Sequence, residues 1–445
     1  MCGGPSPAAT TVRFSPSPRL RGEGVQFALM RIQLCTVSIL LTLLLAGPGF
    51  AEPAAAAAPG PSASQEVDTL AIAAAAGDRT AIARLLELGH RGDPAAQARI
   101  GWLYYKGEVV RQDFRTAFEW IAKAATGGDA EAMNAFGHLH QEGFGTATDR
   151  AAARSWYAKA ADKGFAPAAN NLGMLLLDGG SGDVPAALAA LNQAAAKGHA
   201  MAMYNLGRLY DEGRGVPENS DQARRWYERA AEKKLPAATR SLGRLVEAGR
   251  GFAQDFDRAR ARYEEARAQG DLEAAARLGL LYENGRGVPR DAAKAIALYG
   301  EAAAAGNALG QVLLGWSHER GAGTARNLAA ALQWFQRAAA QGDPAGKNAL
   351  AFMYAEGRGV AKDESRAVAL YREAAEQGYA EATFRLGIMR EEGRGTVRDV
   401  PEAFRLYQAA ADKGHEEARR IVERAGRPTR AEDLLDPLKR QSGMR

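Results

Sequence analysis

Residues 200–234 read AMAMYNLGRLYDEGRGVPENSDQARRWYERAAEKK. Ala202, Leu206, Leu209 and Tyr210 stand at offsets −5, −1, +2 and +3 from Gly207, which puts them on one face of a helix. Gly213-Arg214-Gly215 then ends the periodic run, as suits a left-handed residue at a helix C-terminus. After a polar loop, Ala223, Trp226, Tyr227, Ala230 and Ala231 recur at three- and four-residue steps. The stretch therefore reads as a helix (A), a glycine turn and a second helix (B).

The same columns recur along the chain. The Leu-Gly position falls at Gly101, Gly137, Gly173, Gly207, Gly243, Gly279, Gly315, Ala351 and Gly387, always 36 residues apart except for one step of 34. Five residues earlier stands a small residue, from Ala96 to Ala382. Glycine pairs mark the turns at 143/145, 213/215, 249/251, 285/287, 357/359 and 393/395. A closing Gly such as Gly128, Gly270 or Gly306 precedes a helix-capping Asp129, Asp271, Asp343 or Asn307. Small columns let backbones approach, and the Tyr, Trp and Leu columns fill the space between A and B. One such hairpin cannot bury its own face, so neighbours must stack. Nine full units occupy residues 93–414. Residues 66–92 read as N-terminal capping helices, with Asp78 opening the second. Residues 415–445 read as a partial A helix, with Ala418 in the small column, and a tail.

These columns resemble the Sel-1-like repeat (SLR) family, a relative of the tetratricopeptide repeats, over residues 93–414. The resemblance implies an all-α fold, a right-handed α-α superhelix (solenoid) of nine helix-turn-helix repeats whose groove binds other proteins or peptides. It also implies adaptor roles in the bacterial envelope, in signalling and in contact with host cells. The chain departs from the pattern at Glu108-Val109 in the first turn, in the short third repeat, at Lys234 in place of the closing Gly, at Ser317-His318, and at Arg390.

The chain has 445 residues, of which 47% are hydrophobic, 24% charged and 7% aromatic, which excludes a wholly disordered chain, a collagen-like fibre and a polytopic membrane protein. Two cysteines, Cys2 and Cys35, exclude a disulfide framework. Arg31, the apolar run Val37–Ala46 and the small residues Gly49 and Ala51 read as a signal peptide over 30–51 within a leader of residues 1–51. The run is too short for a transmembrane helix, which needs roughly 18 apolar residues. Translation is expected to start at Met30, cleavage before Glu52, and the mature protein to be periplasmic or secreted. Residues 52–65 (EPAAAAAPGPSASQ) read as a disordered linker. Arg13, Arg19, Arg21 and Arg31 against Glu23 place +3 of the formal +5 charge in the leader. The remainder is nearly neutral, so net charge points to no nucleic acid partner.

Helix A has a second face at offsets −3, +1 and +4. Its expected partner-binding residues are Asn134, His138, Asn170, Tyr204, Arg208, Arg240, Arg244, Trp316 and Phe352. As a groove, this face would hold a peptide, polar in the middle and apolar toward the C-terminus. The same side chains could instead be packed between successive A helices. The stretch from Asn134 to Glu247 is expected to be the more exposed, because buried Arg and Asp are costly unless paired. The turn arginines (Arg214, Arg250, Arg286, Arg358, Arg394) read as solvated side chains paired with nearby acids such as Glu212 or Glu392, or else as a basic ridge. No phosphate-loop fingerprint, no His-based metal spacing and no nucleophile elbow is present, so catalytic, cofactor and metal residues are all expected to be none. The expected function is an exported non-catalytic scaffold or adaptor that binds a protein or peptide. One alternative is an envelope protein binding peptidoglycan or polysaccharide, with Trp102 and Trp316 stacking on sugars. The other is a β-lactamase-like hydrolase, as described for cysteine-rich relatives whose repeat disulfides this chain lacks.

Overall fold

The computed structural model describes residues 63–178 and 183–425. All of them lie in the second of the two units into which the chain divides, Pro61–Arg445. The leader with its signal segment, both cysteines, the linker up to residue 62 and the tail after 425 fall outside the described residues, as does the loop that shortens the third repeat. Among the described residues there are twenty-one α-helices and no strand.

Ala63–Ala75 and Arg79–His90 open the stack, the first of them starting inside the stretch read as linker. Nine A–B pairs follow, from Pro94–Lys106 with Phe114–Thr126 to Ala380–Glu392 with Val400–Asp412, and Glu416–Ala425 adds a last A-type helix. The two ends of each helix are set by the residues the sequence marks. Asp271 accepts a hydrogen bond from the Ala274 N–H at 2.8 Å and Asn307 from the Gly310 N–H at 2.9 Å, each cap contributing about 1 kcal/mol. Gly285 ends its A helix at φ +66°. Where the closing Gly is missing, Lys234 takes the left-handed conformation itself at φ +59°, the one non-glycine residue to do so among the described residues.

The Leu-Gly column is where the B-helix ring lies on the A-helix backbone. A Cβ built on Gly207, Gly243, Gly279 or Gly315 would stand 2.5–2.7 Å from Tyr227, Tyr263, Tyr299 or Phe335. Those four rings are among the largest fully buried side chains. The second Gly of each turn has a separate cause: a Cβ on Gly287 would meet the backbone of Phe256, the first residue of the preceding B helix, at 2.8 Å. Each turn thus seats on the repeat before it. In the first repeat that position is Val109, which packs beside Gly77 of the opening helices.

Each B helix packs on its own A helix and on the next one. Neighbouring A helices also touch directly, Leu272–Asn284 on Ala308–Arg320 and the latter on Pro344–Glu356, while successive B helices make no comparable contact. The crowding puts the A helices on the inner side of the stack.

Candidate binding face on the A helices

The residue after the column Gly is half-buried in every repeat: Trp102, His138, Met174, Arg208, Arg244, Leu280, Trp316, Phe352 and Ile388. The column before it is buried throughout, and nearly all of the column after it is buried too. Between those two packed columns it forms a half-exposed strip that runs the length of the stack. The −3 column sits deeper, from half-buried Asn134, Tyr204 and Arg240 to buried Asn170, Asn348 and Phe384.

In the middle of the stack the polar residues of this face bind one another. Asn205 donates to Asn170 at 2.9 Å, Asn170 to Asn171 at 3.3 Å, and Asn171 to Asn134 at 2.9 Å, a chain of amides across three A helices. Arg240 Nε lies 3.0 Å from Asp271 and its Nη1 2.9 Å from Glu273. Burial works against the Arg240 charge, but those two carboxylates outweigh it and hold its pKa above the usual value. Arg244 pairs with buried Asp211, and Arg208 with Glu212 at 2.9 Å. The Tyr204 ring packs on Tyr227 at 5.6 Å. The stretch from Asn134 to Glu247 therefore avoids the cost of buried charge by internal pairing, with Asn170 and Asp211 buried outright. Burial pushes the His138 pKa down against the opposing charge of Glu142, so it is neutral at pH 7.

Toward the C-terminus the face is aromatic. Trp316 packs on Phe335 at 4.9 Å and on Phe352 at 5.5 Å, with Arg320 over the indole and Arg358 over the Phe352 ring. At the N-terminal end Trp102 meets Tyr105 at 5.2 Å, and Phe144 lies 5.7 Å from Tyr105 and 6.0 Å from His138.

The +4 column has a role the sequence reading did not assign. Tyr263 donates to Glu247 at 2.6 Å, Tyr299 to Glu283 at 2.6 Å, Tyr407 to Glu391 at 2.5 Å, Tyr227 to Asp211 at 3.3 Å and Tyr157 to Gln141 at 3.1 Å. The separation is 16 residues every time, and that constant spacing was a signal available in the sequence. Burial raises the pKa of each of these phenols, so they stay protonated donors. From the other side, turn arginines of the next repeat reach acids of the same column: Arg250 to Asp211 at 3.1 Å, Arg286 to Glu247 at 3.5 Å, and Arg358 to Glu319. Arg214 pairs with Asp178 at 2.8 Å rather than with Glu212, while Arg394 holds Glu356, Glu364 and Glu392. The turn arginines are thus paired, mostly with the preceding repeat. A ring, an acid and an arginine staple one repeat to the next.

Among the described residues no three His, Asp, Glu or Cys side chains come close enough to hold a metal ion. No helix among them is long and apolar enough to cross a membrane.

The Sel1 repeat family model matches nine consecutive segments: 94–129, 130–165, 166–199, 200–235, 236–271, 272–307, 308–343, 344–379 and 380–415. The chain belongs to the Sel1 repeat family. Among solved structures, this Sel1 repeat protein is similar to c5321, a protective antigen of uropathogenic Escherichia coli strains displaying an SLR fold. The two are 27% identical with a TM-score of 0.45, over 83% of this chain and 92% of that one. It is also similar to a Sel1 repeat protein from Oxalobacter formigenes, at 30% identity and TM-score 0.43, over 50% of this chain and 94% of that one. Yeast Tom70 is similar at 14% identity and TM-score 0.42, over 83% of this chain and 80% of that one. No curated protein matches the chain.

Proposed function

We propose that this Sel1 repeat protein is an exported, non-catalytic scaffold that binds a protein or peptide along the inner strip of its A helices, in the periplasm or outside the cell. The observation that carries the reading is the unbroken +1 column, half-exposed in all nine repeats while the columns beside it are mostly packed. With helices about 8–10 Å apart, the eight steps between nine A helices give a strip on the order of 70 Å. That suits an extended partner better than a small molecule. Export is supported by the signal-like segment at 30–51.

The test is capture of partners from an envelope extract, followed by affinity measurements with the identified partner. Arg208→Ala and Phe352→Ala alter the strip without touching the Gly column, and each should weaken binding. A partner bound equally by both variants would remove the strip from the mechanism. Sedimentation with purified peptidoglycan that is lost in Trp102→Ala would favour a glycan ligand instead.

A further inference from the structure

Of the eleven lysines among the described residues, six lie at the C-terminal ends of the B helices of repeats one to four: Lys123, Lys159, Lys163, Lys197, Lys233 and Lys234. All six are exposed, and none takes an ion pair among the described residues, whereas Lys347 and Lys362 pair with Glu373 and Glu364. Among the described residues the other charge pairs are made by arginine, apart from His415 with Glu381. Three of the six are placed in register. A Cβ built on Gly164 would lie 2.5 Å from Lys197 Nζ, one on Gly128 3.7 Å from Lys163 Nζ, and one on Gly198 3.8 Å from Lys233 Nζ. The ammoniums of Lys163, Lys197 and Lys233 therefore each sit over the closing turn of the repeat before, and these three form a line that advances one repeat per step.

Beside this line, Lys123 lies over Trp120 at 4.5 Å, Lys159 over Trp156 at 4.0 Å and Arg229 over Trp226 at 4.4 Å. The indoles hold these cations in place before any ligand arrives, which lowers the rotamer entropy lost on binding. Asp162, Glu228 and Glu232 also border the ridge, and Glu228 is already engaged by Arg224. The run breaks after repeat four and returns only once, at Lys413 of repeat nine, whose Nζ lies 3.8 Å from a Cβ built on Gly378. In repeats five to eight the lysine column reads Gln269, Ala305, Gln341 and Gln377.

We propose that this ridge binds a linear polyanion, specifically a polysaccharide bearing carboxylates. A line of cations that advances one repeat per step calls for an anion that repeats over several steps, which a charged polymer supplies. Nucleic acid fits less well, because single strands stack their bases on open aromatic faces and these indole faces are covered by cations. A second copy of the chain fits less well too. On its matching column Glu265, Glu301 and Glu373 are already paired with Arg262, Arg267 and Lys347. The ridge lies on the B helices, so this proposal and the A-strip reading stand or fall separately.

The probe is sodium polygalacturonate, titrated calorimetrically into the full chain at 50 and 200 mM NaCl, with neutral dextran and phosphatidylglycerol vesicles in parallel. Lys163→Gln/Lys197→Gln/Lys233→Gln should weaken polygalacturonate binding by about tenfold at low salt, and binding should weaken as salt rises. Arg115→Gln/Arg405→Gln/Arg420→Gln removes the same net charge from exposed sites elsewhere and should change affinity by less than about twofold. Equal losses in the two triple variants would reduce the effect to net charge and overturn the proposal. So would equal binding of dextran, or binding of vesicles without binding of the polymer.

Discussion

Two glycines near one tyrosine should respond in opposite directions to the same mutation. Gly279 and Gly300 both lie inside helices, where Gly→Ala ordinarily stabilises by about 1 kcal/mol. At Gly300 a new Cβ meets nothing within 4 Å. At Gly279 it would stand 2.5 Å from Tyr299 Cε1, 2.8 Å from Cδ1 and 3.2 Å from the Ala295 carbonyl oxygen. Carbon contacts settle near 3.5–4.0 Å, so the ring would have to retreat by about 1 Å. It is 1% exposed and tied by its hydroxyl to Glu283 at 2.6 Å. Overpacking costs about 1–3 kcal/mol, and breaking a hydrogen bond to a carboxylate costs about 1.5–3 kcal/mol. After the gain in helix propensity, Gly279→Ala should destabilise by about 1–3 kcal/mol, whereas Gly300→Ala should stabilise by about 0.5–1 kcal/mol. A nine-repeat array need not unfold in one step. The assay is therefore hydrogen exchange of amides in residues 272–304, alongside urea melts. Faster exchange in Gly279→Ala and slower exchange in Gly300→Ala is the expected pair. Shifts of the same sign would refute the close-packing account of the Leu-Gly column. The eighth repeat is consistent with it: Ala351 occupies that column there, and the residue matching Glu283 is Ala355, so the Tyr371 ring has no carboxylate tether.

Two further outcomes follow from the staples and the buried rings. Repeat seven has Phe335 where five other repeats have a hydrogen-bonding tyrosine, so buried Glu319 is held by Arg358 alone, with no hydroxyl donor from the B helix; Phe335→Tyr should therefore raise stability by about 1 kcal/mol in urea melts, and a loss would show that the hydroxyl does not reach Glu319. Burial raises the folded-state pKa of Tyr157, Tyr227, Tyr263, Tyr299, Tyr371 and Tyr407 above 10.0 and lowers that of His138, His140 and His199 below 6.5. Above about pH 10 the unfolded chain loses phenol protons that the folded one keeps, and below about pH 6.5 it gains imidazole protons that the folded one refuses. The urea midpoint should thus be highest between those limits and fall on both sides, and a midpoint flat to pH 11 would contradict the buried phenols.

The architecture was legible because each repeat states it again. Gly207, Tyr227 and Gly213 have meaning together only in a helical hairpin, and the 36-residue step shows that the hairpin is stacked. The N-caps at Asp129, Asp271, Asn307 and Asp343 were equally plain, since a cap is a local device. The pairing of the A-face residues was not legible. Asn171 reaches Asn134 and Arg240 reaches Asp271 across neighbouring repeats, and helical offsets within one repeat carry no information about which side chains meet in the next. The turn arginines show the same limit. The acids close in sequence, Glu212 and Glu392, drew attention, while most of the partners lie 36 to 39 residues back, because the turn seats on the preceding repeat. Lys234 departs from the glycine of its column, and its left-handed backbone at φ +59° costs on the order of 1 kcal/mol.

Comparison of the nine repeats with one another separates what packing fixes from what it leaves open. The −5, 0 and turn columns hold small residues because backbones or rings press on them. The B-helix ring, the +4 acid and the turn arginine are fixed by one another. At the N-terminal end two members change together: Tyr105 stands in the acid column of the first repeat and Phe144 in the arginine position of the next, and the two rings pack on each other; elsewhere single members change, at Phe335, Ala355 and Ala322. The +1 column obeys no such rule. Reading along the stack it is Trp, His, Met, Arg, Arg, Leu, Trp, Phe and Ile, half-exposed each time. A position that packing constrained would repeat like its neighbours, so the sequence of this strip is free to be set by what lies against it. Recognition by this protein is therefore expected to depend on the order of side chains along the strip, with charged contacts in the middle repeats and aromatic contacts toward the end.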